Sequence, residues 1–558
     1  MVVLKFFILK LLPFFTIIFF VTNVFSKTFH INPATGKISN DGSFANPWST
    51  LKEIIDSGKI ETQEGVSYPY VWGNPLRVKN SGAPVKAGDT LLLYSGYHGD
   101  VNILRAYNSD FITIIPASGQ IPVLKRIRIT AASKWKISGL TISPEFAPSY
   151  ERVTLAFIES HNYSGPSRDI IFENCTLYSV KDASKWTKGQ WDSLSCDGIT
   201  VTGKKVLVKG NKLTNVNFGI AISADSSIAE KNFIINFAGD GLRGLGNYDE
   251  FLYNYVANCY AVNANHDDGF QSWSVGTGGV GTGVVKGIKL IGNTIINYLD
   301  PNQPFRGTLQ GIGCFDGMFE DWVIENNVIM TDHWHGISLY GAINCRVINN
   351  TVCDLNNVSP GPPWIMITSH KDSTQSRNCI IRNNLSTSII NDGDATCVAD
   401  HNIIIKNPND FFIDYTNFDL HLKAGCIAID SGSNELAPTT DITGAPRPYG
   451  TRVDVGAYEF GSSPVLQLKN KNVKTGKEVN VFYNKILSQL FIFANTNINS
   501  VTIYDVSGKK ILETKPYKVN KYEINLNKTG SFSSLKVNML FLKICCEKLV
   551  LYKKILLF

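Results

Sequence analysis

The sequence has no dense Lys/Arg block. Its 53 basic and 47 acidic residues leave a formal net charge of +6 spread over 558 positions, so it carries no electrostatic footprint for nucleic acid. It has no CxxC pair and no Cys/His cluster at metal-ligand spacing, which excludes a zinc module and a dithiol redox centre. No second long apolar run follows the N-terminal one, so a multi-span membrane protein is excluded. Extended helical periodicity is also missing. What remains is a chain that is 44% apolar and 18% charged with 46 glycines, the composition of a folded, turn-rich protein.

The N-terminal stretch MVVLKFFILKLLPFFTIIFFVTNVFS places Lys5 and Lys10 before an apolar core broken by Pro13, with small residues near Ser26. This is the layout of a secretory signal over residues 1–26, with the mature chain starting near Lys27 and no membrane span left after its removal. An extracellular or cell-surface monomer is expected. Eleven cysteines in an exported chain suggest disulfides, but their positions follow the repeat described next. Cys345 and Cys379 each precede a recurring Asn by five residues, and Cys175 directly follows Asn174. They are read as small buried side chains in a stack.

From Asp169 onward, an Asn leads a short apolar run at Asn174, Asn211, Asn232, Asn254, Asn293, Asn327, Asn350 and Asn384. The steps from 211 to 232 and from 232 to 254 are 21 and 22 residues; longer steps hold loop insertions. Each unit adds a second strand that begins with Gly, at Gly198, Gly219, Gly241, Gly269, Gly311 and Gly336, and Pro363-Trp364-Ile365 continues the row. Short strands at this period predict an all-β, right-handed parallel β-helix. The Asn residues are assigned to a stacked turn, where they tolerate left-handed backbone and bond one another. Ahead of the coils, Ser49 or Thr50 caps a helix from Leu51 that can plug the open end of the solenoid. The solenoid is expected over 27–460 and a Ser/Lys/Asn-rich linker over 461–480. A small β-sandwich is expected over 481–558, with 400–460 an irregular end to the coils.

If the Gly-led strands are in register, the residue before each Gly points outward and forms a column: Asp197, Phe218, Asp240, Asp268, Gln310, His335. A second column reads Thr200, Ala221, Arg243, Gln271, Gly313, Ser338, and a third Thr202, Ser223, Leu245, Trp273, Phe315, Tyr340. Neighbouring coils lie ~4.8 Å apart, which brings Asp240, Asp267 and Asp268 together. Three crowded carboxylates repel unless a cation joins them, and Ca²⁺ is the oxygen-loving candidate.

GDGLRGL followed by NHDDGFQSW resembles the family 9 polysaccharide lyases, β-helix enzymes with catalytic Ca²⁺. The resemblance implies Asp240, Asp267 and Asp268 as calcium ligands. It also implies β-elimination on the uronate of an acidic polysaccharide. Gln271 stands where the family has a further Asp, and Gly313 where it has its basic lysine. Candidates for the missing role are Arg243, His335, Tyr340 and Lys371, with Arg243 better suited to charge neutralisation. His266, Gln271, Trp273, Gln310 and Trp334 are candidate substrate contacts.

Other readings stay open. WHGISLYG (Trp334 to Gly341), after Asp240 and Asp267-Asp268, is similar to the catalytic strand of inverting polygalacturonases, with an extra coil around Gly311 between them. A uronate C5-epimerase shares the proton abstraction, and a non-catalytic solenoid could stack sugars on Trp273, Trp334, Tyr340 and Trp364. The tail, through SVTIYDVSGKKIL and the closing KKILLF, resembles the C-terminal sorting domain of the type IX secretion system, which implies outer-membrane secretion machinery as a partner.

Overall fold

A computed structural model describes residues 26–300, 302–462, 479–484, 489–504, 510–515, 519–525, 539–546 and 549–556. The expected signal segment, apart from Ser26, and most of the expected linker lie outside the described residues. The chain divides into two compact units, Met1–Val465 and Leu466–Phe558.

The first unit is a right-handed parallel β-helix with three faces. The first face stacks the Gly-led strands, from Thr154–Glu159 and Asp197–Val201 through Leu242–Gly244, Asp268–Trp273, Gln310–Asp316 and His335–Tyr340 to Trp364–Thr368 and Ile389–Asn391. All of these pair in parallel. A second face runs from Ile171–Glu173 to Val398–Asp400. A third forms a separate 12-stranded sheet ending at Ile403–Ile404. Inward side chains from all three build one apolar column that includes Leu213, Phe251, Phe270, Ile295 and Ile337.

The Gly row has a packing cause. A Cβ at Gly198 would come within 2.3 Å of the Gly219 carbonyl oxygen, one at Gly219 within 2.2 Å of that of Gly241, and one at Gly311 within 2.2 Å of that of Gly336. At Gly241, Gly269 and Gly336 it would strike Val256, Ile295 and Val352 of the third face. Coils this close, with branched residues behind them, leave no volume for a side chain.

The Asn row is a hydrogen-bonded ladder. Asn211, Asn232, Asn254, Asn293, Asn327, Asn350 and Asn384 each donate from Nδ2 to the Oδ1 of the next rung, at 2.9–3.0 Å. The ladder differs from expectation at both ends. Its first turn holds Cys175, whose N–H donates to Asn211, and Asn402 is the last rung. Asn174 sits one residue earlier, at the left-handed position also taken by Gly210, Lys231, Tyr253 and Asn326. The ladder residue and the left-handed residue are therefore neighbours and not the same residue. Ten cysteines, Cys546 aside, are free thiols, most of them buried.

Thr50 caps the helix Leu51–Asp56, and Leu51 and Ile54 close the top of the core. A second helix, Lys188–Leu194, was not expected. Its capping box, Thr187 with Gln190, was present in the sequence. Trp191 of this helix stacks on Tyr260 and braces the segment leading to Asp267. Residues 405–460 fold back along the outside of the third face, where Phe411, Leu420 and Val455 cover Ile296, Val328 and Met330. This differs from a simple end cap. Among the described residues, no helix is long and apolar enough to cross a membrane.

The second unit is a six-stranded antiparallel sheet. Its long strand Gln489–Tyr504 pairs early with Val479–Asn484 and Val519–Asn525, and late with Lys510–Thr514 and Met539–Cys546.

Candidate active site

The outward central column of the first face is continuous. Strand pairing runs through Asn102, Arg128, Phe157, Thr200, Ala221, Arg243, Gln271, Gly313, Ser338 and Met366. The column ahead of it also holds: Asp268 opposes Gln310, and the Asp268 N–H donates to Asp240 Oδ1 at 3.1 Å. The third column breaks. A bulge between Ser272 and Trp273 puts Asp316 opposite Trp273, so Phe315 turns back and packs against His335 and Tyr340, with ring centroids 4.7 and 5.2 Å away.

Asp240 and Arg243 form a closed unit. Asp240 is 2% exposed and receives Arg243 Nε at 3.0 Å and Arg243 Nη2 on the same oxygen. The guanidinium lies between the rings of Phe218 and Trp273, 4.4 and 4.8 Å from their centroids. Burial raises the Asp240 carboxyl, and Arg243 opposes that shift. The clamp by Phe218 was not read from the sequence, although its place in the same column was.

Asp268 is fully buried, and burial pushes its carboxyl upward. Its Oδ2 meets His266 Nδ1 at 3.2 Å and accepts Gln271 Nε2–H at 3.0 Å. The His266 ring is largely exposed, and its bond to Asp268 raises its pKa. An Asp behind an exposed imidazole orients the ring and stabilises its charged form. Asp267, the adjacent residue, lies just ahead of the strand Asp268–Trp273. It meets Cys259 Sγ at 3.4 Å and Asn265 Nδ2 at 3.1 Å, and burial pushes it to about 7.

The three acids lie close enough that, besides burial, Asp240 raises Asp267 and both raise Asp268. Asp240 is bonded to Arg243 and Asp267 meets Cys259 and Asn265, while Asp268 Oδ1 and Gln310 Oε1 are buried acceptors without donors. Among the described residues, no group of three or more His, Cys, Asp or Glu is arranged to hold a metal ion. Ca²⁺ takes six to eight oxygens, water among them, and these side chains supply only part of such a shell. Space for the Asp268 carboxylate comes from Gly313, where a Cβ would lie 2.3 Å from Asp268 Oδ1.

The coil around Gly311 does separate His335 from Asp268, so the two lie about 10 Å apart by coil spacing. His335 Nδ1 meets Ser338 Oγ at 2.9 Å, and Ser338 also accepts Trp364 Nε1–H at 3.0 Å. Burial and the neighbouring His333 push His335 down to about 4, so it is neutral at pH 7. Trp334, 42% exposed, stacks parallel to Trp364 with centroids 6.4 Å apart. Tyr340 lies beside His335, with burial raising its phenol. Lys371 is not part of this group. It sits in the loop after Trp364–Thr368, with its ammonium 2.6 Å from Asp316.

No protein-family model matches the chain, and no curated protein matches it. Among solved structures, it is similar to pectate lyase Pel9A at 14% identity and a TM-score of 0.36, over 78% of this chain and 96% of that one. It is similar to the GH136 lacto-N-biosidase from Eubacterium ramulus at 13% identity and 0.39, over 68% of each. The A-module of the Azotobacter vinelandii mannuronan C-5 epimerase AlgE4 aligns at 15% and 0.31, over 56% of this chain and 86% of that one.

Proposed function

We propose that this chain is an exported polysaccharide lyase that opens a uronate-containing polysaccharide by β-elimination, with His335 in place of the lysine. The supporting observation is a neutral His335 and a charge-stabilised His266 on one face, two coils apart, with Arg243 on the coil beyond Asp268. Environments that push two titrating groups apart suit one to accept a proton and the other to bear charge.

In this reading, the His335 imidazole takes the C5 proton of a uronate. The C5–H electrons form the C4–C5 double bond as the C4–O4 bond breaks. Arg243 and the His266 imidazolium, about 14 and 10 Å along the axis from His335 by coil spacing, hold the carboxylates of neighbouring uronates. Tyr340, next to His335, protonates the departing oxygen. Gln271 and Gln310 hold the sugar, and Trp273, Trp334 and Trp364 offer ring faces for it. A hydrolase using paired carboxylates is disfavoured, because Asp268 is buried and Asp240 is held by Arg243. The N-terminal apolar stretch supports export, and SVTIYDVSGKKIL supports a role of the tail in sorting.

The test is ultraviolet absorbance of unsaturated uronate on pectate, alginate and glycosaminoglycans, with Ca²⁺ and with chelator. Absorbance that survives chelation and disappears in His335→Ala supports the proposal. Absorbance that requires Ca²⁺ would restore a metal role to Asp240, Asp267 and Asp268. New reducing ends without absorbance would make the chain a hydrolase.

A further inference from the structure

We infer that the first face carries a second anion-recognising subsite around Arg128, which holds a distant stretch of the same carboxylate-bearing polysaccharide. The ligand class rests on the lyase reading above. The site itself rests on a repeated geometry.

Arg128 occupies the same outward column as Arg243, four coils toward the N-terminus through Phe157, Thr200 and Ala221. That separation is about 19 Å, long enough for several pyranose rings laid along the solenoid axis. Both arginines are held alike. Arg128 Nε and Nη2 bond one oxygen of Glu159, at 2.9 and 2.5 Å, as Arg243 Nε and Nη2 bond one oxygen of Asp240. In each case an aromatic ring one coil away lies under the guanidinium, Phe157 at 5.4 Å and Phe218 at 4.4 Å. In each case the Nη1 edge is left over, in a fork suited to a carboxylate. In this pair Glu159 is mostly buried while Arg128 stays half-exposed, and a half-buried Phe on the outward side of a sheet serves no core. The combination is better explained by a ligand than by folding.

The track continues beyond Arg128. Arg105 lies 3.6 Å over the Tyr68 ring and 5.7 Å from that of Tyr163. Beside them Trp72, 74% exposed, and Tyr70 line an open cavity of about 250 Å³ with His161. Ring faces for sugars next to an arginine for their carboxylates match an acidic glycan.

The test compares wild type, Arg128→Ala and Trp72→Ala on polygalacturonate and alginate, as polymers and as trisaccharides. Both side chains are exposed, so both variants should fold. The expected result is a five- to twentyfold rise in KM for the polymer, with kcat and trisaccharide kinetics unchanged. Polymer KM values equal to wild type in both variants would overturn the subsite while leaving the lyase reading intact. If wild type turns over no uronate, affinity electrophoresis in the same polymers decides. Retardation lost in Arg128→Ala supports the subsite without the lyase, and equal migration overturns it.

Discussion

Replacing Arg243 with alanine separates the structural and the chemical work of that residue. The substitution strands Asp240, 2% exposed, with only the Asp268 N–H as partner. Leaving a buried charge unpaired costs about 3–5 kcal/mol, and losing the contacts to Phe218 and Trp273 adds about 1 kcal/mol. Protonation limits the damage. Neutralising a carboxyl whose ordinary pKa is 3.8 costs about 1.36 × 3.2, or about 4 kcal/mol, at pH 7 and about 2 kcal/mol at pH 5. Burial already raises the folded pKa of Asp240, and without Arg243 only the Asp268 N–H and the charge of His266 oppose that. The folded state then binds the proton that the unfolded state releases, so above pH 4 stability falls as pH rises. Arg243→Ala should therefore lower the urea midpoint strongly at pH 7 and less at pH 5, read by tryptophan fluorescence. Asp240→Asn combined with Arg243→Ala should recover most of the midpoint but none of the turnover. A single variant with an unchanged midpoint at pH 7 would refute the buried pair. Restored turnover in the double variant would refute the proposed role of Arg243 on the substrate.

Three further outcomes are expected. Asn254→Ala removes four ladder bonds and strands the Asn232 N–H, a loss of about 3–5 kcal/mol; denaturation shows a lowered midpoint, and an unchanged one contradicts the ladder's role. His335→Ala should reduce kcat by about 10²-fold or more. In wild type the acid limb of kcat should fall near pH 4 and not near 6.5, because the base must be deprotonated and its pKa is about 4. Asp268→Asn removes the partner that raises His266. Since His266 works charged, the alkaline limb should move to lower pH, and an unmoved limb would remove His266 from the carboxylate-holding role.

Much of the site was legible because a parallel solenoid turns sequence period into spatial column. Asp240, Asp268 and Gln310 fell in one line, and Arg243, Gln271, Gly313 and Ser338 in the next, because strand alternation leaves no freedom once the Gly row is in register. The bulge at Trp273 was not legible. It comes from the loop insertion at 274–286 and moves Phe315 onto His335.

The coil period, the Gly and Asn rows and the outward identity of the site residues were determined by the sequence alone, since each follows from local backbone geometry repeated at a near-constant step. Charge state and partnership were decided only by the tertiary structure. Asp268 meets His266 two residues earlier, Arg243 is clamped between rings of the coils above and below, and His335 is neutral because aromatic neighbours from other coils exclude water. Burial and pairing depend on which coils carry loops, and no local pattern encodes that.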